Sequence, residues 1–510
     1  MCKMIDQFAD KIKGQFSFFD RMIINGYFRP FLSEQTRIGS LFAMGIPLRD
    51  FTEYFKDVTA RLTTQIENSA IELGRPVIYL PSAKEKKEII AKEFLLSDPV
   101  EDGLICVLKT LESCRTAKVV GSEGRQFLKS SSTKCLHYYL YYLDKEFGFM
   151  FVKIQTWFPF NIQVYIKGRE LMKHTFQQNN ITYTCYDNSF TDISDTAKAQ
   201  ELADRFDSRK LCRHLDGFAQ SINPFTDTVQ NKLGQGYYWC LDQCEFATEI
   251  MFKERSLLED IYPSLVGHAF YDLNCTDVFT FMGRKPNPRF QGEAVSDYKQ
   301  RPIGCRVKFK LKSNSIKMYD KCSVLRIETT INNPREFKVF GTVRHHDGTE
   351  SEQWKPMGKS ISNLYRYAEV SKACNKRFLD AMTDIVPVKS ALEEIGSICS
   401  GKKVNGKRVT GFNVWSPEVV RMMESVNNGV YLISGFRNRD ISESIFPNIK
   451  DEKKRSSKTS RTLKKLRQHG LIKKVPHSTR YHVTAKGRRI MGTLIELHHK
   501  DYPELAAKVA

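Results

Sequence analysis

The stretch 305–332, CRVKFKLKSNSIKMYDKCSVLRIETTIN, alternates charged and apolar residues with a period of two. Arg306, Lys308 and Lys310 point one way and the apolar residues between them point the other way. Such alternation is typical of strands with one face in the core and one face in water. Two short polar turns separate three such runs. The sequence therefore predicts an antiparallel three-stranded meander with a basic face within residues 303–343.

Outward from this meander, hydrophobic periodicity predicts a mixed α+β chain. In residues 1–99 apolar residues recur at three- and four-residue steps, so we expect a mostly helical region. Residues 100–399 combine β-branched and aromatic runs with helical patterns, so we expect an α+β body. Tyr237–Phe252 and Met357–Ile385 are two of its predicted helices. The predicted fold class is a mixed α/β body with an antiparallel meander, followed by a carboxyl-terminal helical module.

The net charge of the chain narrows the classes of partner that it is expected to bind. It carries 79 Lys and Arg against 58 Asp and Glu, a formal net charge of +21. Such an excess attracts polyanions, which favours nucleic acid or an anionic membrane. We find no apolar run of membrane-spanning length and no signal-peptide core, so we expect a cytoplasmic protein without a membrane partner. Thirteen scattered cysteines fit reduced, buried thiols, and no paired cysteines and histidines indicate zinc.

Residues 417–498 contain a clear succession of helix start and stop signals. Ser416 and Pro417 suit a helix start, and Gly470 suits a helix end. Two short strands and a final helix from Ala485 complete the predicted order. The segment 400–416, SGKKVNGKRVTGFNVWS, is rich in Gly and Lys and is expected to be an interdomain linker. The three leading helices are expected at Pro417–Phe436, Asn438–Phe446 and Ser456–His469.

The segment 457–490, SKTSRTLKKLRQHGLIKKVPHSTRYHVTAKGRRI, resembles the recognition helix and wing of MarR-like winged helix-turn-helix domains. The resemblance covers residues 417–498. It implies DNA binding, with the third helix in the major groove and the wing over the minor groove or the backbone. The residues that carry the resemblance are Leu466, Gly470, Leu471, Ile472, Tyr481, Thr484 and Gly487.

The charge of this region agrees with that implication. Residues 451–500 hold fifteen Lys or Arg against three acidic residues, a net charge of +12. Such a surface should bind DNA in a strongly salt-dependent way, because neutralised phosphates release counterions. Arg461 is a candidate to read guanine with two hydrogen bonds. The predicted DNA-binding residues are Lys458, Arg461, Thr462, Lys465, Lys473, Lys474 and Arg480, with Arg306, Lys308 and Lys310 in the meander.

The body carries a second, shorter resemblance. The run Asn314–Lys321 with Leu325–Glu328 resembles a strand pair in the replication initiators of filamentous phages and rolling-circle plasmids. That resemblance implies Tyr319 as a nucleophile. The metal-binding His-hydrophobic-His triplet of those enzymes does not occur here, and adjacent His345 and His346 cannot share a strand face. The segments IQTWFPF and NSIKMYDK also resemble an uncharacterised bacterial family, from which no activity follows.

A two-metal nuclease is another catalytic hypothesis for the body. It needs carboxylates that converge on Mg²⁺ from separate elements, and Mg²⁺ is then the only cofactor expected. Glu328 shares a strand face with Arg326 and is expected near Lys317, so a surface ion pair is the alternative. The catalytic candidates are Tyr319, Glu328, Asp320 and Glu112, with Asp187 as a further carboxylate.

The sequence thus favours a DNA-binding protein of bacterial or mobile-element type that binds through its carboxyl-terminal module. A nuclease or replication initiator targeted by that module is one alternative, and a ligand-responsive transcriptional regulator is another. The body is a candidate for single-stranded DNA or RNA, and a homodimer is possible on this sequence. Aromatic residues that could stack on bases in the body are Tyr138, Tyr139, Tyr141, Tyr142 and Trp157.

Overall fold

The computed structural model describes most of the 510 residues, with short gaps. The described residues are 3–121, 126–285, 292–301, 304–345, 347–383, 391–404, 406–431, 435–476 and 478–501.

Within these residues, strands and helices alternate irregularly along the chain. The strands are β1 (Ile12–Phe28), β2 (Val77–Tyr79), β3 (Gly103–Val120), β4 (Phe127–Asp144), β5 (Gly148–Gln155), β6 (Ile162–Lys167), β7 (Tyr183–Tyr186), β8 (Ser189–Ile193), β9 (Tyr237–Phe252), β10 (Ala294–Arg301), β11 (Gly304–Leu311), β12 (Asn314–Lys321), β13 (Val324–Ile331), β14 (Lys338–Arg344), β15 (Glu350–Pro356), β16 (Lys402–Val404), β17 (Lys407–Val409), β18 (Ile472–Lys474) and β19 (Tyr481–Val483).

The α-helices are α1 (Lys3–Gln7), α2 (Glu34–Ala43), α3 (Phe51–Glu72), α4 (Lys87–Ser97), α5 (Gly168–Gln178), α6 (Thr196–Asp204), α7 (Ser208–Ile222), α8 (Phe225–Leu233), α9 (Arg255–Tyr271), α10 (Cys275–Phe281), α11 (Leu364–Met382), α12 (Ala391–Cys399), α13 (Pro417–Val426), α14 (Asn438–Ile445), α15 (Glu452–Gln468) and α16 (Ala485–Glu496). Short 3-10 turns lie at Arg29–Phe31, Leu48–Asp50, Pro334–Glu336, Ile361–Asn363 and Gly429–Tyr431, and a π-helical turn lies at Leu497–Asp501.

One large sheet organises the described part of the body. Its strand order is β10-β11-β12-β13-β9-β1-β6-β5-β4-β3-β2. The strand pairs from β11 to β3 are antiparallel, and β2 pairs with β3 in parallel. The long strand β1 lies near the centre, where it joins β6 on one side and β9 on the other. The predicted α+β fold class is confirmed.

Burial alternates along the central strands and gives the sheet two different faces. In β1, Met22, Ile24 and Phe28 are buried, whereas Arg21 and Asn25 on the other side are half-exposed. Strand β6 repeats this alternation. Because cross-strand partners in an antiparallel pair share a face, the half-exposed side continues over neighbouring strands. We call this side the polar face, and its residues include Arg21, Asn25, Lys153, Gln163 and Gln243.

The predicted meander is confirmed, with β11, β12 and β13 paired in the expected order. Lys317 lies opposite Glu328, and Lys308 lies opposite Lys317. The predicted basic face is correct only in part, because Arg306 is buried and Lys308 is half-buried, whereas Lys310 is exposed. The long helix expected after the meander is α11. Its predicted end at Ile385 lies outside the described residues, as does His346.

One prediction of a helix is wrong, and the prediction for residues 1–99 misses a long strand. Tyr237–Phe252 is predicted as a helix, whereas it forms strand β9. Residues 1–99 were expected to be mostly helical, but the 17-residue strand β1 occupies Ile12–Phe28. Strand β9 is buried on both sides along nearly its whole length, and β1 is buried on both sides from Phe16 to Asp20. These segments therefore lack the alternation that marks a half-buried strand.

The carboxyl-terminal elements share one hydrophobic core. Helices α13, α14 and α15 are followed by the hairpin β18–β19 and by α16, in the predicted order. Phe436, just before α14, pairs with Tyr481 on the hairpin through two backbone hydrogen bonds of 2.8 and 3.0 Å. This bridge ties the helices to the hairpin. The core residues include Met423, Phe436, Ile441, Leu463, Leu466 and Ile490.

Residues 400–416 differ from the exposed linker that their composition indicates. They contain the hairpin β16–β17, and Phe412 and Val414 are buried in the carboxyl-terminal core. Two backbone carbonyls of this segment also accept hydrogen bonds from Lys465 and His469. The segment is therefore packed against the helices that it precedes.

By compactness the chain divides into two units. The first comprises Met1–Phe8, Ser256–Tyr298 and Arg377–Ala510, and the second comprises Ala9–Arg255 and Lys299–Lys376. Among the described helices, none combines the length and the apolar character that crossing a bilayer requires.

Candidate nucleic-acid interface and buried ion network

Helix α15 presents one basic side to solvent. Thr459, Leu463 and Leu466 are buried in the core, so the opposite side of this helix is exposed. Exposed residues on that side recur at three- and four-residue steps. We call them the α15 face, and they are Lys453, Ser457, Ser460, Arg461 and Lys464.

Two of the predicted DNA contacts on α15 are already held by the protein itself. Lys458 Nζ lies 2.9 Å from Glu418 Oε2 in an ion pair. Lys465 Nζ donates a hydrogen bond of 2.7 Å to the carbonyl of Gly411, and burial lowers its pKa. Both lysines lie on the flanks of the helix, whereas Arg461 lies on the α15 face.

The remaining predicted contacts differ in exposure. Thr462 is half-buried, and its hydroxyl donates to the carbonyl of Lys458 at 3.1 Å. Lys473 and Lys474 on β18 are exposed, whereas Arg480 is half-buried. The sequence reasoning missed Lys453 and Lys464. The inward positions Leu463 and Leu466 carried the needed signal, because they fix which side of the helix faces solvent.

Helix α14 is joined to the α15 face at its first residue. Asn438 Nδ2 donates to the carbonyl of Ser456 at 2.9 Å and to Ser460 Oγ at 2.7 Å. Asp451 caps the amino end of α15 by accepting from the amide of Lys454 at 3.1 Å. These contacts fix the orientation in which α15 presents its side chains.

A second cluster of charged residues lies on the polar face of the sheet, where side chains from β1, β9, β12 and β13 meet. Its centre is the guanidinium group of Arg326, whose side chain is fully buried. Arg326 donates to Glu249 Oε1 at 2.7 Å, to Asp20 Oδ2 at 2.6 Å and to Glu328 Oε2 at 3.2 Å. It also donates to the carbonyl of Asn188 at 2.8 Å.

A lysine and a second arginine complete the cluster, which we call the buried ion network. Lys317 Nζ lies 2.6 Å from Glu328 Oε1 and 3.2 Å from Glu245 Oε1. Arg21 Nη2 lies 2.7 Å from the same Glu245 oxygen. The predicted pairing of Glu328 with Lys317 is thus confirmed, but its predicted surface location is wrong, because the Glu328 side chain is buried and that of Lys317 is mostly buried, where charges must be paired.

Burial and pairing shift the pKa values of the network in opposite directions. Burial raises the pKa of Glu249 to about 7, although Arg326 opposes that shift. Burial also acts to raise the pKa of Glu328, but Lys317 and Arg326 outweigh it and lower the pKa to about 2. Burial acts to lower the pKa of Lys317, and its two carboxylates raise it above the ordinary value instead.

Three carboxylates of the network are close enough to hold a metal ion. Ligand oxygens of Asp20, Glu245 and Glu328 lie within 4.8 Å of one another. Each of these carboxylates already accepts a hydrogen bond from a lysine or arginine. Four carboxylates face three cations, and a proton on Glu249 brings the charge close to neutral. The geometry is that of a compensated ion network.

The four carboxylates predicted to bind Mg²⁺ do not converge. Glu112 lies on β3, six strand spacings of about 4.8 Å from Glu328 on β13. Asp320 points to the opposite face of β12 from Lys317. Asp187 pairs with Lys321 at 2.5 Å.

Tyr319, the predicted nucleophile, lies on the same side of β12 as Lys317. Burial is the largest cause of its shifted pKa, which is raised. A raised pKa disfavours the phenolate that would attack a phosphodiester. The environment of Tyr319 therefore does not activate it.

The aromatic residues proposed to stack on bases are mostly core residues. Tyr138, Tyr139 and Tyr141 are buried, and the hydroxyl groups of Tyr138 and Tyr139 donate to glutamates Glu67 and Glu112. The structure therefore contradicts a stacking role for these three tyrosines, because no base can reach their rings.

Sequence reasoning missed Asp20, Glu245 and Glu249. All three stand as single acids inside apolar runs, FFDRM and CEFATEIM. A lone acid in an apolar strand indicates a buried partner, since an unpaired buried charge is too costly to keep. That signal was present, although the partner Arg326 lies far away in the sequence.

The ion network predicts a specific pH dependence of stability. Glu249 has a pKa of about 7 in the folded chain, above its ordinary value of 4.5. Its contribution is fully present below pH 4.5 and is lost as the pH rises towards 7, because the unfolded chain ionises first. The loss is roughly 3 kcal/mol at about 1.4 kcal/mol per pKa unit. Urea unfolding from pH 4.5 to 7.5 should show a smaller decline in Glu249→Gln than in the wild type. Equal declines contradict the prediction.

Comparison with protein-family models, with curated proteins and with solved structures finds no significant match for this chain.

Proposed function

We propose that the chain binds double-stranded DNA through the α15 face, and that α13–α16 with the hairpin β18–β19 act as a winged helix. The observation that carries this proposal is the arrangement of cations on α15. Three basic side chains, Lys453, Arg461 and Lys464, share one exposed side of a helix whose other side is buried.

The dimensions of the helix suit a duplex. A helix with side chains is about 10–12 Å wide, and the major groove of B-DNA is about 12 Å wide. Arg461 then has the guanidinium geometry to pair with guanine, and Ser457 and Ser460 can donate to base edges or phosphates. Lys453 and Lys464 neutralise phosphates on the flanks of the groove.

The hairpin adds two exposed lysines to the proposed interface. Lys473 and Lys474 on β18 are exposed, and β18 follows α15 directly after Gly470, whose φ of +76° closes the helix. The Phe436–Tyr481 bridge holds the hairpin against the helices. These lysines are therefore suited to phosphate contacts beside the groove that α15 enters.

The flanking lysines of α15 supply a matched control for this proposal. We expect Arg461→Ala with Lys464→Ala to weaken duplex binding about 30- to 1,000-fold at 100 mM salt, since each lost charged contact removes about 1–2 kcal/mol and every 1.4 kcal/mol is tenfold. The slope of log K against log salt should become shallower by about 0.9, because the phosphate contact of Lys464 is lost. Fluorescence anisotropy of the full chain on a labelled duplex measures both quantities.

The control is Lys458→Ala with Lys465→Ala, which removes the same two charges from the same helix. Because both lysines are held by Glu418 and Gly411, we expect less than a threefold loss of affinity. An equal loss in both double variants would mean that the total charge, and not the α15 face, determines binding. That outcome contradicts the proposal.

A further inference from the structure

A small pocket opens on the polar face, in the second unit and away from the buried ion network. Its volume is about 140 Å³. A cavity of about 150 Å³ holds one benzene ring, so this pocket has room for one small ring and little more. Its polar lining comes from four strands and one loop, and the side chains used below are Asn25, Tyr27, His137, Lys153, Asn161 and Gln163.

Strand register brings these residues together. Asn25 on β1 lies opposite Gln163 on β6, and Gln163 lies opposite Lys153 on β5. His137 on β4 lies opposite Gln155, two residues after Lys153 on the same face of β5. The pocket is therefore built on the rigid centre of the sheet, where side chains hold their positions.

Hydrogen bonds inside the pocket fix the orientation of its amide groups. Asn25 Nδ2 donates to the hydroxyl of Tyr27 at 3.0 Å, and Asn25 Oδ1 accepts from Gln163 Nε2 at 3.0 Å. The carbonyl oxygen of Gln163 is then left without a partner among the residues that the structure describes. The carbonyl oxygen of Asn161 likewise has no partner among the described residues. Only the amide nitrogen of Asn161 contacts a neighbour, Gln155, at 3.5 Å.

His137 is the most buried polar residue of the pocket, with 4% exposure. Its Nδ1 lies 3.2 Å from the carbonyl of Cys135, so Nδ1 carries the proton and Nε2 is an acceptor. Within the described part of the chain, Nε2 has no hydrogen-bond partner. Burial, together with Lys153, lowers the pKa of His137 to about 4, so the ring is neutral at physiological pH.

The charges of the pocket favour an uncharged ligand. Lys153 Nζ, its one cation among the described lining residues, lies 2.6 Å from Glu112 Oε2. The pair is close to neutral and does not offer the open positive charge that a phosphate requires. Three acceptors remain, on His137, Asn161 and Gln163, and they match a ligand with hydrogen-bond donors.

We propose that this pocket binds one nucleobase with an exocyclic amino group, supplied by an unpaired nucleic-acid strand. Cytosine, adenine and guanine carry such a donor, whereas thymine presents a carbonyl oxygen at the equivalent position. Cytosine fits best because the pocket has room for a single ring. One N–H of the amino group donates to His137 Nε2, and the other donates to the amide oxygen of Asn161 or Gln163.

The test compares base identity, because phosphate contacts do not distinguish bases. Labelled single-stranded dC12 and dT12 are titrated against the full chain at fixed salt. We expect the wild type to prefer dC12 about five- to tenfold, the effect of one or two neutral hydrogen bonds. Equal affinity for the two strands overturns the proposal. Free cytidine monophosphate is then added as a competitor of labelled dC12, to separate a mononucleotide ligand from a strand. If it displaces dC12 at the same concentration of bases, the strand is not the source of the base.

Two variants assign the preference to the pocket. His137→Phe keeps a ring of similar size and removes the acceptor, and Gln163→Leu removes a second acceptor at a half-exposed position. Both should reduce the preference to below twofold, whereas the control variants His174→Phe and Gln178→Leu on α5 should retain it. A preference that survives in both pocket variants contradicts the proposal. This test measures base preference in single strands, whereas the test of the α15 face measures affinity for a duplex. The failure of one proposal can therefore be distinguished from the failure of the other.

Discussion

Arg326→Met is expected to lower the free energy of unfolding by about 3–5 kcal/mol, the usual effect of removing one partner from a buried ion pair. Arg326 is fully buried and donates to Asp20, Glu249 and Glu328. Without Arg326, the three carboxylates keep one nearby lysine, Lys317, and this lysine pairs with Glu328. Urea unfolding followed by circular dichroism measures the change in stability.

Two further variants show whether the charge or the side-chain shape matters. Arg326→Lys keeps the charge, but a single ammonium group cannot reach all three carboxylates, so we expect most of the loss to remain. Arg49→Met is the surface control, because Arg49 is 80% exposed and pairs only loosely with Asp50 at 3.7 Å. A loss below 1 kcal/mol for Arg326→Met would show that the network adds no stability.

Gly487→Ala is expected to destabilise the carboxyl-terminal core by about 3 kcal/mol or more, because overpacking against backbone cannot be relieved by a rotamer change. A Cβ atom at Gly487 would lie 2.0 Å from the carbonyl oxygen of Leu471. Gly487 is buried at the start of α16, and its amide donates to Thr484 Oγ1 at 3.0 Å. The full chain should melt at a lower temperature and should bind duplex DNA more weakly.

Gly267→Ala is the control for this prediction. Gly267 lies within α9, and a Cβ atom there would meet no atom within 4 Å. Alanine should stabilise this helix by about 0.5–1 kcal/mol relative to glycine. If Gly487→Ala and Gly267→Ala have the same melting temperature, the close approach of α16 to the hairpin is not required for stability.

The parts of the fold that sequence could predict are those with local signals. The meander was predicted because alternation of period two survives wherever one face is less buried than the other. Helix α15 was predicted because Gly470 ends it and Leu463 and Leu466 mark its inner side. Capping, turns and periodicity act within a few residues, so a single sequence reveals them.

The central strands could not be predicted in the same way. In β9 nearly every residue is buried, because helices cover the sheet where this strand runs. Burial on both faces removes the alternation, and a long, mostly apolar run is also typical of a buried helix. The ion network depends on pairing between β1, β9 and β13, which are distant in sequence. Their register is a property of the whole sheet.

The predicted DNA contacts show the same limit on a smaller scale. The sequence indicates a basic helix, but it does not show that Glu418 and Gly411 hold Lys458 and Lys465. These partners belong to segments 40 and 54 residues away. Tertiary contacts of this kind decide which lysines remain available for a ligand.

The position of β1 in the sheet has a consequence for the synthesis of the chain. Gly26 on β1 pairs with Ile162, so its first partner strand emerges more than 130 residues later. At roughly 5–20 residues per second, the ribosome needs on the order of ten seconds to supply it. During that interval the segment Phe16–Phe28 is an unpaired, aromatic strand, and such segments aggregate readily. Nascent chains halted before residue 162 should therefore depend on chaperones that cover this amino-terminal segment.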